Sequence, residues 1–267
     1  MAKRPVSGTK EWSDTSVNVM EGCSNGCWYC YAKATACSRA KTNTQDGWTE
    51  ERPNLKRVKK NYGKREGTIM FPTAHDLTVG NISYTLPTLM KLLEPGNKVL
   101  VVSKPDPVVI GQFCKSLAGY EEQVLWRFTI GSMDPGTLAL WEPNAPTFAE
   151  RLYSLMLAHG SGWQTSVSME PMLDCHEVPV RQAVSTMLPY VTDAIWLGKM
   201  NKVSMRLKIN GAPRAVILEA QALEAAWDDA AILELYDLLK DDPKVRWKDS
   251  IKEIVGIERS MEAGLDR

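Results

Sequence analysis

The chain reads as an α/β fold: a partial (β/α)6 TIM-like barrel over residues 1–200, with a C-terminal helical extension over 201–267 packed on the same domain. Two observations predict it. Short apolar runs alternate with helical patterns six times in about 200 residues, whereas a closed eight-unit barrel needs roughly 250. The runs are also rich in β-branched residues, as in Lys98-Val-Leu-Val-Val-Ser-Lys104, the composition of parallel strands covered on both faces.

In order, residues 1–15 are polar and wrap the outside. Ser16 to Glu21 alternates as a first strand and runs into a loop rich in cysteine and glycine, after which Tyr31 to Ala40 favours helix. Gly67 to Thr73 is a buried second strand, followed by a helix up to Glu94 that Gly96 stops. Lys98 to Lys104 is the third strand and Val124 to Ser132 the fourth. Thr147 and Glu150 form a Thr-x-x-Glu capping box for the next helix, placing Phe148, Leu152, Leu155, Met156 and His159 on one face. Gln164 to Glu170 is the fifth strand, Val180, Val184, Met187 and Leu188 mark a helix that Pro189 ends, and Asp193 to Met200 is the sixth strand. Pro213 opens a long helical stretch in which Leu223, Trp227, Ala231, Leu235 and Leu239 recur every four residues, covering an open side of the barrel.

The chemistry concentrates in Gly22-Cys-Ser-Asn-Gly-Cys-Trp-Tyr-Cys30. Three thiols within eight residues cannot pair without a remainder, and a cytoplasmic chain keeps thiols reduced, so metal binding is expected of Cys23, Cys27 and Cys30. Structural zinc sites and electron-transfer clusters take four ligands. The spacing Cys-x3-Cys-x2-Cys supplies three, which on a four-iron cube leaves one iron open to a small molecule. Gly22 and Gly26 let the loop fold tightly, and Tyr29 can cover one edge of the site. Cys37, seven residues beyond Cys30, keeps open the alternative of a four-thiolate zinc or inert iron-sulfur site.

At 267 residues with 44% hydrophobic and 24% charged composition, the chain is an ordinary globular protein. No apolar run approaches the roughly 20 residues of a membrane span, and no signal peptide core opens the chain, so a cytoplasmic location is expected. Lys plus Arg equals Asp plus Glu at 32 each, which excludes a global field for polyanions. Locally, Lys56 to Arg65 holds six basic residues in ten: Lys56, Arg57, Lys59, Lys60, Lys64 and Arg65. A solvated face is the commoner reason for such a run, and a phosphate-binding strip is the sharper one.

In parallel barrels chemistry gathers at the C-terminal ends of strands. Here those ends are polar: Thr73, His75 and Asp76 after the second, Ser103 and Lys104 after the third, and Ser132 after the fourth. Glu170 follows the fifth and Gly198 begins the end of the sixth.

The cysteine spacing with its aromatic before the third thiol matches the radical S-adenosylmethionine (SAM) superfamily. The segments Met-Phe-Pro-Thr-Ala-His-Asp, Val-Val-Ser-Lys-Pro, Arg-Phe-Thr-Ile-Gly-Ser, Ser-Met-Glu-Pro-Met-Leu-Asp and Arg246-Trp-Lys-Asp-Ser-Ile251 extend the likeness over most of residues 12–255. In these the chain resembles spore photoproduct lyase-like proteins and an uncharacterised phage and bacterial radical SAM group. The resemblance implies a [4Fe-4S] cluster on the three cysteines, SAM across the barrel mouth, and a reductant such as flavodoxin or ferredoxin. It implies that Thr73, His75 and Asp76 stand where many members carry a Gly-Gly-Glu segment for the SAM amine, a segment absent here. It further implies that Ser103 and Lys104 face the ribose or carboxylate, Ser132 the ribose, and Arg151 or Glu170 the polar end of the cofactor. The reaction implied is formation of a 5′-deoxyadenosyl radical that takes hydrogen from a substrate, giving rearrangement or cleavage in the manner of an isomerase or lyase. Cys175 is the candidate hydrogen-atom donor to a product radical, although buried inert cysteines are commoner. The expected substrate is a nucleobase or nucleotide in DNA, for which the basic strip supplies phosphate contacts and some of the 9 Trp and 8 Tyr supply stacking. A peptide or small-molecule substrate, or a metal-holding nucleic-acid-binding module, is the competing expectation.

Overall fold

The structure, a computed structural model, describes residues 5–39 and 47–264. Nine strands occur among them: β1 Thr15–Ser16, β2 Met20–Glu21, β3 Arg52–Pro53, β4 Thr68–Phe71, β5 Lys98–Ser103, β6 Val124–Thr129, β7 Gln164–Met169, β8 Ile195–Leu197 and β9 Val245–Trp247. The helices are α1 Tyr31–Arg39, α2 Leu55–Val58, α3 Ile82–Leu93, α4 Pro107–Ser116, α5 Pro135–Trp141 and α6 Phe148–Gly160. After them come α7 Glu177–Met187, α8 Val203–Asn210, α9 Arg214–Ala226, α10 Asp229–Leu239 and α11 Asp249–Val255. Ala40, the expected end of α1, lies outside the described residues, as do the first four and last three residues.

Seven strands form one parallel sheet in the order β1-β4-β5-β6-β7-β8-β9, an open barrel wall in which each strand lies beside its sequence neighbour in the sheet. The registers run straight across, with Met70 opposite Leu100, Leu100 opposite Leu125, and Arg127 opposite Ser166. Strand alternation sends Ile69, Phe71, Val99, Val101, Trp126, Phe128, Val167 and Ile195 to the helix-covered side, where they join one hydrophobic cluster. Full burial of each such side chain contributes about 1.5–3 kcal/mol. The opposite face carries Met70, Leu100 and Trp196, which pack with Trp12 as a separate interior cluster. Among the described residues no helix is long and apolar enough to cross a membrane.

Three expectations change. The stretch Ser16 to Glu21 divides: Val17 N–H donates to Met70 O at 3.0 Å, the chain then leaves the sheet, and β2 pairs antiparallel with β3. The extension is not wholly helical, because β9 adds a seventh parallel strand against β8. Its long helical stretch also breaks at Trp227 and Asp228. Asp228 caps α10 by accepting from Ala231 N–H at 2.9 Å, while the Trp227 indole donates to Asp174 O at 2.7 Å. Extension residues Val203, Leu207, Val216, Leu235 and Ile251 belong to the same core cluster as the barrel helices.

The capping box of α6 is formed as expected, with Thr147 and Glu150 each satisfying the other's backbone N–H. The buried face of that helix is Arg151, Ser154, Leu155 and Ala158, while Met156 is 39% exposed. The displacement follows from Arg151, whose charge is drawn inward by Glu142. Thr147→Ala is expected to lower stability by about 1 kcal/mol. Urea unfolding checks this; an unchanged midpoint would mean that the cap carries no weight.

Candidate active site

The cysteine loop is held from three sides. Gly22 has φ +88°, and a Cβ there would stand 2.4 Å from Glu50 O, so only glycine permits the turn. Cys23 N–H donates to Trp48 O at 2.9 Å, and Ser24 donates from both N–H and hydroxyl to Glu51 Oε1 at 3.1 Å. From the extension, the Asn210 amide donates to Trp28 O at 2.7 Å and Cys30 O at 3.0 Å, fastening α8 to the loop.

All three thiols border one cavity of about 640 Å³ at the C-terminal end of the sheet. Burial pushes Cys23 and Cys30 up and pushes Cys27 up to about 12. A thiolate there needs a cation to sustain it, and the N-terminal turn of α1 helps by donating Lys33 N–H to Cys30 Sγ at 3.4 Å. Three soft donors facing a cavity fit an iron-sulfur cluster. No three His, Cys, Asp or Glu side chains among the described residues are grouped to hold a single metal ion, and Cys37 does not line the cavity.

Behind the thiols lies a buried ionic network. Asp76 Oδ1 accepts from Lys104 N–H at 2.8 Å and from the Ser103 hydroxyl at 3.1 Å; its Oδ2 accepts from the Asn25 amide at 2.8 Å and Cys23 Sγ at 3.7 Å. Lys104 Nζ sits 3.6 Å from Asp76 Oδ2 and 3.9 Å from Glu142 Oε1. Glu142 also accepts from the Tyr29 hydroxyl and pairs with Arg151, both side chains of that pair being fully buried. Burial opposes charge on Lys104 and Asp76, but each is overruled by the other and by its hydrogen-bonding neighbours, so Lys104 is raised well above and Asp76 held below its ordinary range.

The cavity floor is built from the strand faces that alternation turns inward. Arg127 lies 4.4 Å from the Trp12 ring centre and 5.1 Å from that of Trp196, with Ser166 Oγ at 3.0 Å and Asp193 Oδ2 at 3.1 Å as acceptors. Lys248 Nζ stands 2.7 Å from Glu11 Oε1 and 3.7 Å from Glu170 Oε2. Burial raises Glu170, the carboxylate of this group that lines the cavity.

Of the residues expected at the site, Cys23, Cys27, Cys30, Tyr29, Thr73, His75, Asp76, Lys104 and Glu170 line the cavity. His75 offers no free nitrogen: Nε2 accepts from Val19 N–H at 3.2 Å, which leaves Nδ1–H for Asp76 O at 3.1 Å. Ser103, Ser132, Arg151 and Gly198 do not line it. Ser103 falls on the outer face of β5 and donates to Asp76; Ser132 lies past its strand and donates to Asp174 Oδ1 at 2.6 Å. Arg151 is spent on Glu142, and Gly198 packs under the Lys248 side chain. Cys175 is also off the cavity, its thiol 3.7 Å from Glu219 Oε1 on α9.

None of the six strip residues lines the cavity either. Arg57 donates to Asn18 O at 3.1 Å, Lys64 to Gly96 O and Arg65 to Thr15 Oγ1 at 3.3 Å, while Lys56, Lys59 and Lys60 are exposed. Conversely, Thr129 points inward and was missed, although counting in twos along β6 finds it, and Ser168, in the polar run that ends the fifth strand, points inward as well. Glu142, Lys202 and Arg206 carried no sequence signal, whereas Lys199 belongs to the polar run that ends the sixth strand.

Glu142→Leu is expected to cost about 3–5 kcal/mol by stranding the buried Arg151 charge, and adding Arg151→Met should recover most of it. Denaturant unfolding of the single and double variants checks this; equal stability of Glu142→Leu and wild type would contradict the network.

No protein-family model and no curated protein matches the chain. Solved structures do. Streptococcus suis SuiB bound to S-adenosylmethionine is similar at TM-score 0.57 and 9% identity over 87% of this chain and 49% of that one. SuiB bound to precursor peptide SuiA gives 0.59 and 12% over 92% and 53%. Spore photoproduct lyase complexed with dinucleoside spore photoproduct gives 0.54 and 14% over 87% and 75%. The chain thus spans about half the length of the SuiB chains and three quarters of the lyase. The chain shares the fold of these neighbours.

Proposed function

We propose that the chain is a radical SAM enzyme that holds a [4Fe-4S] cluster on Cys23, Cys27 and Cys30 and SAM across the cavity, and acts on a nucleobase or nucleotide. The observation that carries the reading is that two buried thiols and a half-buried third, with no fourth cysteine among the described residues, line one cavity at the C-terminal end of an open parallel barrel. When bound, cluster and cofactor together supply the means to abstract a hydrogen atom from carbon, with electrons from a carrier such as flavodoxin or ferredoxin.

The chain's own residues do the rest. Asp76, tied to Asn25 and Cys23, fixes the first thiol against β5. Tyr29, Glu142 and Arg151 form a floor behind the loop that excludes water from the second and third. Lys104 bridges Asp76 and Glu142, joining the support of the first thiol to the floor behind the other two. Inside the barrel, Thr129, Ser168 and Glu170 offer hydrogen-bonding groups to a substrate, and Tyr31 offers a ring face on which a base can stack. Rearrangement and bond cleavage are both compatible with this arrangement, and the product decides between isomerase and lyase.

Anaerobic reconstitution tests the reading. Wild-type protein is expected to bind about four irons and, once reduced, to convert SAM to 5′-deoxyadenosine. Cys23→Ala, Cys27→Ala and Cys30→Ala should each lose the iron, while Cys37→Ala keeps it. A colourless zinc protein, or equal loss of iron in Cys37→Ala, would contradict the assignment.

A further inference from the structure

The charges lining the cavity do not balance locally. Of its carboxylates, Asp76 is paired with Lys104, Glu170 with Lys248 and Glu253 with Arg259 at 3.6 Å. The remaining one, Asp249, accepts from Ser250 N–H at 2.8 Å. Against this, Lys199, Lys202 and Arg206 line the same cavity and form no ion pair among the described residues. Lys199 and Lys202 come from the turn between β8 and α8, with Lys202 in the left-handed region at φ +53° as the N-cap, and Arg206 stands in the first turns of α8. Arg206 lies over the Tyr31 ring at 6.0 Å, so the cations adjoin an aromatic face next to Cys30.

An excess of cations on one wall of an enclosed site calls for an anion there. We propose that Lys199, Lys202 and Arg206 bind the phosphate next to the reacting nucleoside of a nucleic-acid substrate, with Tyr31 beside its base. Phosphate recognition thus belongs to the cavity wall and not to the strip from Lys56 to Arg65, whose residues lie off the cavity. This deepens the radical SAM reading by naming the substrate group held, and it rests on that reading only for the identity of the site.

The test is binding without turnover. Protein reconstituted with cluster and SAM is titrated into a fluorescein-labelled oligothymidylate and followed by anisotropy across a salt series. Each phosphate contact on a single strand contributes a log-log slope of about −0.7, so loss of this one contact in Lys199→Gln with Lys202→Gln should lower affinity roughly 5-fold at about 0.1 M salt and flatten the slope by about 0.7. The strip variant Lys56→Gln, Lys59→Gln, Lys60→Gln should bind as wild type. A neutral methylphosphonate oligomer, which needs no variant and so is immune to misfolding, should bind wild type weakly and with little salt dependence. The proposal is overturned by loss of affinity in the strip variant alone, by equal binding of the neutral oligomer, or by no oligonucleotide binding at all. It is equally overturned if the cavity variant loses SAM affinity while its oligonucleotide affinity is unchanged, since the anion would then be the cofactor carboxylate. Failure of wild type to cleave SAM is a separate result, and counts against the enzyme assignment alone.

Discussion

The Lys104 ammonium, buried between Asp76 and Glu142, is the contact on which the rest of the site depends. It comes from the end of β5, yet its two carboxylates reach outward to unrelated parts of the chain. Through Asp76 it is joined to Asn25 and Cys23 in the loop, and through Glu142 to Tyr29 and to Arg151 on α6. Buried charges are tolerated only when each has its partners, so the network can be satisfied in one arrangement of loop, strand and helix. That arrangement sets three thiols against one cavity wall. The stability of the network and the geometry of the metal-binding loop are therefore one constraint.

A second layer of organisation follows from the sheet. Its outward residues are continuous with a core that also takes in the extension, and its inward residues switch from apolar at the base to polar toward the C-terminal ends. Met70 and Leu100 give way to Thr129, Ser168 and Glu170. The apolar base and the stacked Trp12, Arg127 and Trp196 close the barrel below the cavity, and α8, pinned to the cysteine loop by Asn210, approaches it from the side of Tyr31.

How much of this could be read in advance depended on the range of the signal. Five of the seven parallel strands, β4 to β8, announced themselves from local runs such as Lys98 to Ser103, whereas β1, two exposed polar residues, meets the expected first strand only at Ser16. The capping box at Thr147 and the cysteine spacing were legible for the same reason: each is complete within a few residues. β9 was not legible, since Val245-Arg246-Trp247 is too short to show a period and becomes a strand only against β8. Of the residues expected at the site, the cysteines, picked out by their spacing, and Asp76, Lys104 and Glu170, picked out by their place after strands, line the cavity. Ser103 and Ser132 were misplaced because proximity to a strand end says nothing of which face a side chain takes. Arg151 and Cys175 failed differently: their partners, Glu142 and Glu219, are 9 and 44 residues away in sequence.

The central claim is that three thiolates hold a cluster with one position left open toward the cavity. Mössbauer spectroscopy of protein reconstituted with iron-57 tests it most directly, before and after SAM is added. The account predicts that one iron in four gives a distinct signal and that SAM shifts that signal alone. Four equivalent irons unresponsive to SAM, or no iron-sulfur signal at all, would contradict it.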